Sequence, residues 1–327
     1  MSTSFLRRLA PVLAAGMLAA APAMAQTKWN LPAAYPPENY HSENLNWFAA
    51  EVKKETGGKL EITVHPGASL FKAPEIKRAV ATGQAQIGEV LISIHENEDP
   101  VFGLDTIPFL TAGFADARKL WLAQKPAIAK KLDSQGLMLL YAAPWPSQGL
   151  YTKKDVATLD DLKGLKMRAY NVGTTRIAEL VGAQAVTVQA AELPQALATG
   201  TVNSFMTSGA TGYDSKAWET MSHWYDLQAW QPKNVVIVNK AALQALDKPL
   251  QEAILKAAAA AEERIWKIAP EKQEWYVDQL KAKGMKVQLP GEPLKAGFKK
   301  VGDQLIEDWL KKAGADGKAV VDAYKKM

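Results

Sequence analysis

Segments of strand periodicity alternate with segments of helix periodicity along this chain, and that order restricts it to an α/β layered fold. Lys28–Leu31 alternates as a short strand. His41–Thr56 carries Leu45, Trp47, Phe48 and Val52 on one helical stripe, and Gly57-Gly58 stops it. Leu60–His65 reads as a strand, Ala73–Thr82 as a helix ending at Gly83, and Ala85–Leu91 as an apolar strand. Ala115–Ser134 is a longer amphipathic helix with a break or kink predicted at Pro126, followed by a buried strand at Leu137–Ala142. This order predicts a mostly parallel sheet with crossover helices.

A second set begins near residue 147. Gly149–Thr152, Lys166–Tyr170 and Val202–Met206 read as strands, and Gly173–Val181 and Ala191–Ala198 as helices. Val235–Asn239 is a further apolar strand. Lys248–Lys283 is one long helical pattern, with a kink predicted at Pro270 and a glycine cap at Gly284. A strand at Lys286–Leu289 and C-terminal helices broken at Gly314 and Gly317 complete the chain. No repeat at the roughly 20–50-residue periods of solenoids is visible. A mature length of about 300 residues suggests two domains. No low-complexity tether separates them, so strands or helices must join them.

The N-terminus sets the compartment. Arg7 and Arg8 form a basic start, Leu9–Ala21 is uncharged and apolar, and Ala23-Met24-Ala25 places small residues before Gln26. That order is a signal peptide, residues 1–25, with the mature protein exported to the periplasm. The apolar run is too short for a hydrocarbon core needing about 20 residues. The formal net charge of +5 becomes +3 without Arg7 and Arg8. This mild, dispersed balance does not point to nucleic acid. The chain has no cysteine, which removes thiol catalysis and cysteine-held metals.

Signatures of catalysis are missing. His41, His65, His95 and His223 lie far apart in sequence and none has metal-type spacing. There is no G-x-S-x-G, no G-x-x-x-x-G-K-[ST] and no G-x-G-x-x-G. Glu96-Asn97-Glu98-Asp99 lacks the ligand spacing of a calcium loop. The expectation is a binding protein without cofactor or metal rather than an enzyme.

Several stretches carry a family resemblance. Thr158-Leu159-Asp160-Asp161-Leu162-Lys163-Gly164-Leu165-Lys166-Met167-Arg168 is the most specific. Glu192-Leu193-Pro194-Gln195-Ala196-Leu197 with Gly200-Thr201-Val202-Asn203-Ser204 is the next. Thr56–Leu60, Pro66–Leu70 with Gly83–Ile87, and Ile107–Leu110 follow in order. Together they resemble the periplasmic solute-binding subunit of tripartite ATP-independent periplasmic (TRAP) transporters, the DctP family, over nearly the whole mature chain. The resemblance implies an α/β, two-lobed periplasmic binding protein of the Venus-flytrap kind, with discontinuous lobes and a long helix spanning both. The lobes are expected at 26–146 with 231–247 and at 147–230 with 285–327, with 248–284 as the spanning helix. It also implies capture of a small organic anion by lobe closure, action as a monomer, and delivery to small and large permease subunits driven by an ion gradient. An ABC-type or chemoreceptor-linked binding protein is the competing reading.

Arg168 is the first candidate ligand. A guanidinium offers a planar fork that pairs with a carboxylate through two parallel hydrogen bonds. The family places its carboxylate-binding arginine at the end of this strand. Tyr170 and Asn171 follow closely, either lining the same wall or packing and capping the next helix. Thr207 stands where many relatives have an asparagine, with Ser208 or Tyr213 as alternatives for that contact. Tyr35, Trp145 and Trp230 offer flat apolar surface to a ligand, or else core packing. Glu89 ends the third strand and either faces the cleft or pairs at its rim. Some relatives carry a second arginine in a G-x-R pattern, whereas here the run is Gly149-Leu150-Tyr151. A monocarboxylate with an apolar or aromatic body is therefore the expected ligand.

Overall fold

The computed structural model describes residues 26–327. The signal peptide expected at 1–25 lies outside the described residues. The elements run, in chain order, β1 (Thr27–Pro32), α1 (Tyr40–Glu55), β2 (Leu60–His65), α2 (Ala73–Ala81), β3 (Ile87–Leu91), α3 (Gly113–Asp133) and β4 (Leu137–Pro144). Then come β5 (Gln148–Thr152), β6 (Lys166–Ala169), α4 (Val172–Leu180), β7 (Gln184–Thr187), α5 (Leu193–Ala198), β8 (Ser204–Ser208), α6 (Gly209–Asp214) and β9 (His223–Tyr225). The chain ends with β10 (Lys233–Asn239), α7 (Lys240–Gln244), α8 (Lys248–Ala282), β11 (Lys286–Gln288) and α9 (Glu292–Lys325).

Two lobes follow from the strand pairings. In the first, β1 and β2 pair in parallel, and β10 lies between β3 and β4, antiparallel to both. The first lobe thus holds a parallel pair and a separate antiparallel three-stranded sheet rather than one mostly parallel sheet, because the middle strand of the three returns from the other lobe. Val235–Val238 are fully buried, as a strand covered on both faces demands. The second lobe holds a six-stranded sheet of order β11-β9-β5-β8-β6-β7.

The two lobes are joined by a ribbon. The segment between β4 and β5 runs beside the segment leading into β10, through Trp145 N to Pro232 O (2.9 Å), Gln148 N to Trp230 O (2.9 Å) and Ala229 N to Gln148 O (3.0 Å). α8, 35 residues long, spans both lobes. It holds α1 through Arg264 to Asn44 Oδ1 (2.7 Å), and β4 through Trp266 Nε1 to Ala142 O (3.1 Å). Farther along, Gln273 Oε1 accepts from Ser147 N (2.8 Å), and Tyr276 packs on α6. Pro126 and Pro270 sit inside α3 and α8 without dividing either helix. α9 turns non-helical only at Gly314 (φ 61°), and reaches back to the first lobe through Trp309 Nε1 to Pro100 O (2.7 Å) and Tyr324 to Leu110 O (3.0 Å). Among the described residues no helix is long and apolar enough to cross a membrane.

Candidate ligand-binding site

The site is built around β6. Asp161 Oδ2 accepts from Thr158 N (2.9 Å) and Ala157 N (2.8 Å), which fixes the turn that launches the strand. β6 then pairs with β7 and β8 in parallel, and its third residue is Arg168. Arg168 is 4 % exposed; its Nε donates to Val188 O at 2.9 Å and its guanidinium lies 4.7 Å from the Tyr170 ring centre. Burial pushes its pKa down to about 10, against the opposing pull of the Tyr170 and Tyr35 phenols, so it stays a cation at neutral pH.

That cation has no carboxylate within ion-pair distance among the described residues, unlike its buried counterparts. Lys233, equally buried, has Asp105 Oδ2 at 2.9 Å, and Lys77 is held by Glu98. An unpaired buried charge is costly, so a buried base is normally matched by an acid.

The guanidinium borders a narrow cavity of about 30 Å³ between the lobes. The first lobe contributes Tyr35, Ala73, Leu91 and Ile94; the ribbon contributes Trp145, Gln148 and Pro232. The second lobe contributes Arg168, Tyr170, Gln189, Ala190, Thr207 and Thr211. Tyr35 and Trp145 meet edge to face with ring centres 4.6 Å apart. Trp145 is fixed from behind by stacking on His41 (4.1 Å) and by Nε1 donating to Asn234 Oδ1 (2.9 Å). The walls are therefore apolar and aromatic around one cationic end.

The sequence pattern of the DctP family, bacterial extracellular solute-binding protein family 7, matches residues 33–312. The chain belongs to this family. It is 55 % identical to DctP6, a Bordetella pertussis extracytoplasmic solute receptor binding pyroglutamic acid, with a TM-score of 0.91 over 92 % of this chain and 100 % of that one. It is 48 % identical to a TRAP solute-binding protein of an unidentified marine microbe, specific for pyroglutamate, with a TM-score of 0.91 over 92 % of this chain and 99 % of that one. Among curated proteins, the 2,3-diketo-L-gulonate-binding periplasmic protein YiaO of Escherichia coli is 26 % identical over 83 % of this chain and 84 % of its own. The family is one of solute-binding transport proteins, and its α/β two-lobed fold is the one seen here.

In this DctP-family chain, Arg168, Tyr170, Thr207, Trp145 and Tyr35 come together around the cavity. Trp230 stands behind them, its Nε1 donating to the Tyr170 hydroxyl at 3.3 Å. The other residues singled out in the sequence lie elsewhere. Asn171 caps α4 through Thr174 N (2.8 Å), and its Nδ2 donates to Ser93 Oγ of the first lobe (2.9 Å). Ser208 caps α6, accepting from Thr211 N at 3.3 Å. Tyr213 packs against Trp218, Trp275 and Tyr276. Glu89 is buried with His41 Nδ1 at 3.2 Å. Gln148, Gln189 and Thr211 line the cavity and were not marked by any sequence signal. β5 is buried on both faces, so no alternation shows which way Gln148 points.

A second hydrogen bond spans the cleft, from Asn39 Nδ2 of the first lobe to Asp214 Oδ2 of the second (2.7 Å). Burial raises the Asp214 pKa to about 7, with Asn39 opposing and Glu38 adding to the rise; Tyr276 also faces it. The folded state therefore holds a proton that the unfolded chain has lost, and stability falls as pH rises from about 4 to about 7. Asp214→Asn is expected to flatten that slope. It should stabilise the protein at pH 8 by about 1 kcal/mol, because the carboxylate is only partly shielded, and have little effect near pH 4. Denaturant titrations at both pH values check this, and parallel pH profiles for wild type and variant would refute it.

Proposed function

We propose that this chain captures a small cyclic monocarboxylate, pyroglutamate foremost, between its lobes and passes it to a TRAP permease pair of small and large subunits. The observation that carries the reading is the buried Arg168 guanidinium, left without a carboxylate partner, at one end of an aromatic-walled cavity. A ligand carboxylate supplies the missing charge, and the fork geometry favours two parallel hydrogen bonds. Tyr35 and Trp145 offer apolar area to a flat ring. The relation to DctP6, at 55 % identity, supports pyroglutamate over sugar acids. Thr207, which lines the cavity and whose hydroxyl has no hydrogen-bond partner among the described residues, is proposed as a further polar contact.

In this reading the chain binds without turnover, acts as a monomer and works in the periplasm after removal of residues 1–25. The lobes comprise 26–146 with 231–247 and 147–230 with 285–327, and the 248–284 helix lies across both. Closure is biased by ligand contacts made from opposite walls. No observation favours the ABC-type or chemoreceptor-linked alternative.

A thermal-shift screen over organic acids tests the ligand class. Pyroglutamate at one hundred times its Kd is expected to add about 2.7 kcal/mol of apparent stability. A neutral sugar or a cation that stabilises the protein where pyroglutamate does nothing would overturn the reading.

A further inference from the structure

Gln148 is the fully buried cavity amide whose hydrogen-bonding sense is fixed by its surroundings. It is 2 % exposed at the start of β5, and its Nε2 donates to Pro146 O at 2.8 Å. A backbone carbonyl can only accept, so this contact settles which end of the amide is nitrogen. The amide oxygen is left with no protein partner among the described residues, on a side chain that borders the cavity.

The other polar groups do not duplicate this role. Arg168 only donates. The Thr207 and Thr211 hydroxyls turn to suit either partner. The Tyr170 hydroxyl already accepts from Trp230 Nε1 (3.3 Å), so its own proton points elsewhere. Gln189 also turns its Nε2 to a backbone carbonyl, Tyr170 O at 3.4 Å, but it is only half-buried, so its oxygen keeps access to water. Among the described residues no carboxylate lines the cavity. The buried wall thus carries a fixed donor at Arg168 and a fixed acceptor at Gln148, and a buried acceptor without a donor pays its full desolvation cost.

We infer that Gln148 Oε1 accepts the ring N–H of the bound ligand, and that this contact makes the site select a cyclic amide acid over its oxygen or carbon isostere. The inference rests on the ligand reading above and adds the residue that enforces it. A ring oxygen in place of N–H sets two acceptors face to face, and a site built around such a hydrogen bond rejects the analogue that lacks the donor.

The experiment is calorimetric titration of the wild type with pyroglutamate and with its lactone analogue, 5-oxotetrahydrofuran-2-carboxylate, repeated with Gln148→Leu and Gln148→Met. The wild type should bind the lactam roughly tenfold to a hundredfold tighter than the lactone. The variants should lose most of that preference, chiefly by weakening the lactam. A wild type that binds lactone as tightly as lactam overturns the inference without any variant, as does either folded variant that keeps the full preference. A wild type that binds neither acid brings down the ligand reading and this inference with it, whereas tight lactam binding with no discrimination leaves the reading standing and removes only Gln148.

Discussion

Arg168→Ala is expected to weaken carboxylate binding by about 2–5 kcal/mol, roughly 30-fold or more in Kd, while the protein stays folded. The two halves of that expectation come from the same geometry. The guanidinium is buried, and among the described residues its only fixed hydrogen bond is Nε to Val188 O, with a ring contact to Tyr170. Its two terminal nitrogens are available to a ligand, so truncation strands a ligand carboxylate in a water-poor site. The ligand-free protein loses little, because the deleted charge had no partner to leave behind; Arg168→Met is expected to melt no lower than wild type. Arg168→Lys should bind more weakly than wild type, since an ammonium cannot reproduce the planar fork. Calorimetric titration with circular dichroism of each variant reads both halves. Unchanged affinity in Arg168→Ala removes the arginine from the site, and collapse of the fold makes it structural.

Asp105→Ala should destabilise the fold by about 3–5 kcal/mol, the cost of leaving one member of a buried ion pair uncompensated. Asp105 lies in the turn Pro100–Thr106, and Lys233 opens β10 where the chain re-enters the first lobe. Both side chains are essentially inaccessible, at 1 % and 0 %, with Nζ 2.9 Å from Oδ2. The same carboxylate accepts from Lys233 N (2.9 Å), so its loss also frees a buried backbone donor. Replacing both partners, Asp105→Leu with Lys233→Met, should recover much of the loss, because no charge is then left unpaired. Urea titrations of single and double variants test this. A single-variant loss below about 1 kcal/mol would show that water reaches Lys233 in solution.

The fold was legible where periodicity and punctuation agree. α1 ends at the predicted glycines, with Gly57 and Gly58 both at positive φ, and α8 stops at Gly284 (φ 87°). β7 and β9 were not read. β7 is an exposed edge strand of four residues, and β9 has only three, so neither shows an apolar pattern. α6 was also missed, because Gly209-Ala210-Thr211-Gly212 reads as a loop until Ser208 caps it. That omission carried into the site. On a helix, two residues apart is about 200° of rotation, so with Thr211 at the cavity Tyr213 is turned toward Trp275 and Tyr276. Gly149 shows a different limit. A Cβ there would collide with Tyr225 O and Trp224 Nε1, and no pattern in β5 itself announces that crowding.

The position of β10 also dictates an order of assembly. β3 and β4 never touch as neighbours in the finished sheet; the strand between them is made only after the whole of the second lobe up to β9 has been synthesised. A chain emerging from its N-terminus therefore holds two strands with unpaired edges until residue 239 is available, while every strand of the second sheet except β11 is already present. The inserted lobe can condense first, and the first lobe must wait for a contact of high sequence separation, the kind that slows folding and leaves edges open to wrong partners.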